Sequence, residues 1–214
     1  MSAEPVSGGG EYVWTPEALN EAWQDALSRM GVPSLFTYRV PVDLELDEDL
    51  IGWMGEEAPS ERFPKGRPWA VTFLGPAGTG KTWSAVRLLG HAWGNHARNQ
   101  WYRYQRARFV SAGDLVHEIR NAISTPAPSA PFDEYVGAPC LLLDDLGAER
   151  ATDFAQEQLS LMLSTRYNNM RPTIVTCNAI DEEDLYKRMD PRIADRLAAG
   201  RVYSMQGESL RVGR

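Results

Sequence analysis

Short apolar runs alternate along this chain with longer stretches in which apolar residues return every three or four positions. The runs are WAVTFL (69–74), ARFV (107–110), CLLLDD (140–145), TIVTCN (173–178) and RVYSM (201–205). Apolar on both faces, they read as strands buried from either side. Between them, helical spacing predicts helices over 81–96, 112–123 and 153–169, an acidic helix from Asp181, and a helix through PRIADRLAAG (191–200). Strands that alternate regularly with helices imply an α/β fold with a five-stranded parallel sheet and helices on both faces.

Ahead of this series the pattern is weaker. Met1 to Tyr12 contains SGGG and little apolar content, which predicts a flexible tail. Thr15 can cap a helix that Pro16 opens, and Leu19, Ala22, Trp23, Ala26, Leu27 and Met30 then recur at helical spacing until Gly31 and Pro33 stop it. Such an amphipathic helix either packs on its own domain or, carried on a tail, docks a partner through Leu19, Trp23, Leu27 and Met30. Residues 32–46 look extended, and DEDLIGWMGEE (47–57) reads as a helix with Asp47, Glu48 and Asp49 at its positive end. STPAPSAPFDEY (124–135) is Pro-rich and predicts a surface loop. The expected division is a tail with a docking helix over 1–31 and a core over 32–214.

Composition narrows the class. A length of 214 residues with 43% hydrophobic content suits one substantial core. Cys140 and Cys177 fall in apolar runs and show no ligand-like spacing with the three histidines, so a reduced, cytoplasmic protein without zinc is expected. No apolar run is long enough to span a bilayer, and the N-terminus lacks a signal-peptide pattern. The net charge of −7 conceals an asymmetry: residues 1–64 hold 13 acids and 3 bases, whereas 65–113 hold eight bases and no acid. Indiscriminate nucleic-acid coating is disfavoured, but a local basic face is not.

The chemistry begins at GPAGTGKT, Gly75 to Thr82, directly after a buried strand and at the start of a helix. Gly75, Gly78 and Gly80, with Pro76, Ala77 and Thr79 between them, permit a tight wrap whose backbone N–H groups converge on phosphate oxygens at the helix's positive end. Lys81 brings a point charge to the β- and γ-phosphates, the Thr82 hydroxyl can ligate Mg²⁺, and Trp83 completes the cofactor-binding stretch. A second acidic site is expected on a neighbouring strand, and LLLDDLG places Asp144 and Asp145 at a strand's carboxyl end, where open α/β sheets bind ligands. Asp144 is the candidate Mg²⁺ partner, and Asp145 the candidate for polarising the attacking water. Asn178, ending the TIVTCN run, lies at the same edge, able to orient water or a γ-phosphate oxygen.

Together GPAGTGKT, LLLDDLGAE, TCN and RIADRL resemble the DnaC and IstB group of AAA+ ATPases, helicase loaders and transposition helpers, over roughly residues 33–211. The resemblance implies Mg-ATP binding and hydrolysis through Lys81, Thr82, Asp144 and Asp145. It also implies a sensor 1 residue at Asn178, an arginine acting on a neighbouring subunit's ATP at Arg196, and a looser sensor 2 match at Arg211. Arg192 and Arg196, four apart on one helix, share a face; the alternative for them is surface pairing with acids such as Asp190 or Asp195. Only 36 residues follow Asn178, so no full C-terminal helical lid is expected.

NHARNQWYRYQRARF interleaves Arg98, Arg103, Arg106 and Arg108 with Trp101, Tyr102 and Tyr104, combining phosphate neutralisation with stacking planes. Arg98, Trp101, Arg103, Tyr104 and Arg106 are the candidate contacts to single-stranded DNA; packed aromatics with arginines snorkelling to water are the alternative. The resulting expectation is an ATP-dependent loader of a hexameric replicative helicase that self-associates through its ATP sites. Its rivals are a transposition helper ATPase, a nucleotide-gated adaptor with negligible turnover and, less favoured, a small-molecule kinase.

Overall fold

A computed structural model describes residues 6–8, 11–13, 16–38, 68–97, 107–124, 131–148, 152–207 and 209. Its centre is a sheet of five strands: β3 (Ala70–Leu74), β4 (Arg108–Ser111), β5 (Leu141–Leu146), β6 (Thr173–Cys177) and β7 (Arg201–Ser204). They lie in the order β4-β5-β6-β3-β7, and every pairing is parallel. Parallel neighbours need crossovers, and the helices α3 (Lys81–Ala97), α4 (Ala112–Ser124), α5 (Pro131–Gly137), α6 (Asp153–Asn168), α7 (Glu182–Arg188) and α8 (Pro191–Ala198) supply them.

The two-residue period of the strands sorts the core into two layers. Leu141 and Leu143 of β5, with Val175 and Cys177 of β6, face α4, α6 and α8, where Leu115, Leu159, Leu163 and Leu197 are buried. Leu142, Ile174, Val71 and Phe73 point the other way, onto Val86 and Leu89 of α3. Residues that continue the second series, Asp144 on β5 and Thr176 on β6, therefore emerge on the side covered by α3.

Local chemistry explains where helices begin and end. Thr152 accepts from the Ala155 N–H at the start of α6, and Asp181 accepts from Asp184 N–H at the start of α7. Asp190 caps α8, with Pro191 at the first helical position. Arg166 of α6 is fully buried. It donates to the carbonyls of Tyr135, Val136, Ala138 and Pro172 and to Thr173 Oγ1. The guanidinium thus closes the carboxyl end of α5 and ties it to the entry of β6. Burial pulls its pKa down to about 10, which leaves it charged at neutral pH.

Several expectations are corrected. Residues 6–8 and 11–13 pair as antiparallel strands, β1 (Val6–Gly8) and β2 (Glu11–Val13), where a tail was expected. Within the stretch expected to be extended, Ser34–Tyr38 form α2, with Thr37 Oγ1 bonded to the Ser34 carbonyl. The last residues of the expected Pro-rich loop form α5: Pro131 suits a first turn, Asp133 and Glu134 sit at its positive end, and Arg166 takes its final carbonyls. Cys140 precedes β5 rather than lying within it, and both cysteines are buried and outside any disulfide.

The helix α1 (Pro16–Arg29) packs on its own domain. Leu27 and Met30 are 0% and 1% exposed, in one cluster with Val86 and Leu89 of α3, and the Phe109 N–H donates to the Met30 carbonyl (2.7 Å). Docking through Leu27 and Met30 is thereby corrected: they are core residues, and Trp23 packs against the same cluster. The expected boundary at residue 31 does not separate α1 from the core. The helix expected over 47–57 lies outside the described residues. Among the described residues no helix is long and apolar enough to cross a membrane.

Candidate nucleotide site

The loop from Gly75 to Gly80 joins β3 to α3, at the carboxyl edge of the sheet. Two of its glycines are required by position. Gly75 has φ +147 and Gly78 φ +90, where side chains are strained. A Cβ on Gly75 would also collide with the Met205 carbonyl, and one on Gly78 with the Ser209 side chain. The segment after β7 thus runs against the loop; its Met205 N–H donates to the Leu74 carbonyl (2.7 Å). Lys81, 6% exposed, extends its ammonium back to the carbonyls of Gly75 (2.8 Å) and Pro76 (2.7 Å). Its charge is therefore held at the loop itself. Thr79 Oγ1 closes on the Pro76 carbonyl, and Trp83 stacks edge-on against Phe36 of α2, 5.0 Å between ring centres.

Thr82, in the first turn of α3, donates to Asp144 Oδ1 (2.9 Å). The acidic pair does not lie on the strand next to β3, as the sequence led us to expect: β6 stands between β3 and β5. The contact survives because α3 crosses the sheet face onto which Asp144 emerges. Burial raises the pKa of Asp144; donation from the hydroxyls of Thr176 and Thr82 opposes this, Asp145 reinforces it, and Lys81 opposes it. A half-buried carboxylate flanked by a hydroxyl is a hard-oxygen pair fitted to a divalent cation. Among the described residues no group of three or more His, Cys, Asp or Glu could hold a metal on its own.

Asp145 is exposed and has φ +58, in the left-handed region that Asp tolerates better than most residues. Its Oδ1 accepts from Asn178 Nδ2 (2.6 Å); a carboxylate can only accept here, which fixes the amide's orientation. Thr82, Asp144, Asp145 and Asn178 are thus linked, directly or in pairs, at the edge where the phosphate loop opens.

Arg196 lies elsewhere. Trp69, just before β3, donates from its indole to the Arg196 carbonyl (2.7 Å), placing α8's end beside the amino end of a strand whose carboxyl end carries the loop. Five residues at about 3.3 Å each separate the two, so Arg196 stands away from its own loop. Its guanidinium bonds to the Arg192 carbonyl (2.8 Å) and lies 6.0 Å from the Tyr167 ring centre. Arg192 pairs with Asp190 at 3.3 Å and is 75% exposed. Both arginines line a cavity of about 370 Å³ between α6 and α8, with Asp153 and Glu157 of α6 opposite and Asp190 beside Arg192; no residue of the phosphate loop or acidic pair borders it. Arg211 and the candidate DNA contacts Arg98, Trp101, Arg103, Tyr104 and Arg106 lie outside the described residues, as does the side chain of Leu19.

One residue of this site escaped the sequence reading. Thr176 is 1% exposed and bonds to both Asp144 and Asp145. The signal was a polar residue inside a buried strand, since a buried hydroxyl needs a partner.

Residues 67–213 match the family of IstB-like ATP-binding proteins. Curated protein sequences give no match. Among solved structures, the DnaC helicase loader superposes with a TM-score of 0.64 at 20% identity, covering 81% of this chain and 100% of that one. DnaI gives 0.60 at 19% identity, covering 83% and 93%. The replication initiator DnaA bound to AMPPCP and single-stranded DNA gives 0.52 at 20% identity, covering 66% of this chain and 41% of that one. At these identities the structures speak for the shared fold alone, a phosphate-loop α/β domain. The family match covers well over half of the sequence and includes the loop, the acidic pair and Asn178, so the chain belongs to the family of IstB-like ATP-binding proteins.

Proposed function

We propose that the protein is an ATP-dependent loader of a replicative DNA helicase, hydrolysing ATP with Mg²⁺ at interfaces between its own copies. The observation that carries the nucleotide chemistry is the bond between Thr82 and Asp144 beside a loop that concentrates backbone N–H groups and the Lys81 charge. Thr82 and Asp144 are the residues that would hold Mg²⁺, which when bound neutralises charge on the phosphates. Lys81 turns from the loop carbonyls to the β- and γ-phosphates. Asp145, aimed by Asn178, orients the attacking water. Arg196, remote from its own loop, is assigned to a neighbouring copy's nucleotide.

The loader assignment is supported by a likeness that spans the whole of the DnaC loader structure. Single-stranded DNA as a partner is supported by the basic and aromatic segment 98–108. With Leu27 and Met30 buried, helicase docking is assigned to other surfaces. A cytoplasmic location follows from that role. The second reading, a transposition helper, is favoured by the IstB-like family match itself.

ATP turnover with and without single-stranded DNA tests the enzyme: Lys81→Ala is expected to abolish it. A pull-down against the host's replicative helicase tests the role. Retention of a transposase with no retention of the helicase would shift the assignment to the helper, and failure of wild type to bind ATP would remove both.

A further inference from the structure

The β5–β6 ladder slips at the acidic pair. Leu143 faces Val175 and Leu146 faces Cys177, so two residues, Asp144 and Asp145, stand against one, Thr176. This is a β-bulge, which leaves a residue without its ladder partner and re-aims the side chains beside it. Thr176 repairs the gap with a single hydroxyl. It accepts from the Asp145 N–H (2.8 Å) and donates to Asp144 Oδ1 (2.7 Å). A hydroxyl has one hydrogen and a carboxylate has none to give, so these directions are fixed.

Thr176 faces the same side of the sheet as Ile174, which packs with α3. From β6 it therefore reaches the carboxylate that Thr82 reaches from α3. Asp144 Oδ1 is held from two sides, and the backbone of Asp145 is pinned in its left-handed conformation. The strand that separates β3 from β5 thus serves as the bridge between them.

We propose that Thr176 is a positioning residue for the metal–nucleotide site: its hydroxyl sets the Asp144 carboxylate and the Asp145 backbone while touching neither nucleotide nor metal. This rests on the nucleotide-binding reading above. Partners one step removed from a metal ligand shift metal affinity or activity by about 10- to 100-fold when lost. The effect here falls on the Mg²⁺-dependent part of binding, because the loop N–H groups and Lys81 do not depend on Thr176.

The test is titration of a fluorescent ATP analogue, with Mg²⁺ and with EDTA, into wild type, Thr176→Val and Thr176→Ser. Thr176→Val keeps the shape and removes the hydroxyl. It is expected to weaken binding at least about 10-fold in Mg²⁺ while matching wild type in EDTA, and to speed hydrogen exchange of the Asp145 amide. Thr176→Ser, which keeps the hydroxyl, is expected to retain the Mg²⁺ gain. If Thr176→Val keeps that gain, or weakens both arms equally, or if folded Thr176→Ser loses the gain, the inference falls and the nucleotide reading stands. If wild type binds no analogue in Mg²⁺, the nucleotide reading falls and takes this inference with it.

Discussion

Asp144 is a carboxylate that the fold holds against its own preference. Burial raises its pKa, so the ionised form is less stable folded than unfolded. The sign follows: the penalty is absent below the unfolded value of about 4, grows as pH rises through the raised folded value, and is complete above it. Asp144→Asn keeps the Oδ1 that accepts from Thr82 and Thr176 and removes the charge. The variant is expected to melt higher than wild type at neutral pH, with the gap closing toward pH 4, and to lose Mg²⁺-dependent nucleotide binding. Thermal melts across pH check this; a wild type more stable than the variant at neutral pH would contradict it. Lys81, Thr82 and the two aspartates were legible at this scale because their chemistry is encoded within a few adjacent residues. Thr176 and Arg166 were not, because what they do is set by partners about 30 residues away in sequence, such as Asp145 and Tyr135.

Helices and strands were legible wherever one periodicity ran long enough to be unambiguous, as in α3, α6 and the central strands. Pattern failed where tertiary contacts supply what the local sequence lacks, and α5 owes its carboxyl end to a buried arginine from α6. The amphipathic pattern of α1 was read correctly, but an apolar stripe does not say what covers it. The structure gives the cover as α3. A Cβ on Gly90 would run into the Trp23 indole, so the absence of a side chain there lets the two helices meet. Gly90→Ala gains up to about 1 kcal/mol in helix propensity but overpacks against a rigid ring, which costs about 1–3 kcal/mol. The expected outcome is a net loss of stability in urea, with faster hydrogen exchange confined first to α1. Equal or greater stability would show that Trp23 swings aside freely.

For the whole molecule, the length of β3 separates Arg196, at its amino end, from the phosphate loop at its carboxyl end, while the parallel sheet gathers Lys81, Thr82, Asp144 and Asn178 at that carboxyl edge. A site shared between copies can therefore be assembled from two different defective chains. Lys81→Ala and Arg196→Ala are each expected to lack turnover, and their mixture to recover part of it, since a wild-type loop then meets a wild-type Arg196 across some interfaces. A mixture as inactive as either variant would place the role of Arg196 within its own chain.

The sequence by itself determined the α/β class, the five strands, the phosphate loop and the identity of the acids, because periodicity and glycine spacing act over short range. Only the tertiary structure decided that β6 intervenes between β3 and β5, that α1 is buried on α3, and that one threonine serves both aspartates. Those outcomes depend on which strands become neighbours and in what register, and contacts between segments far apart in sequence leave no periodic trace in the chain.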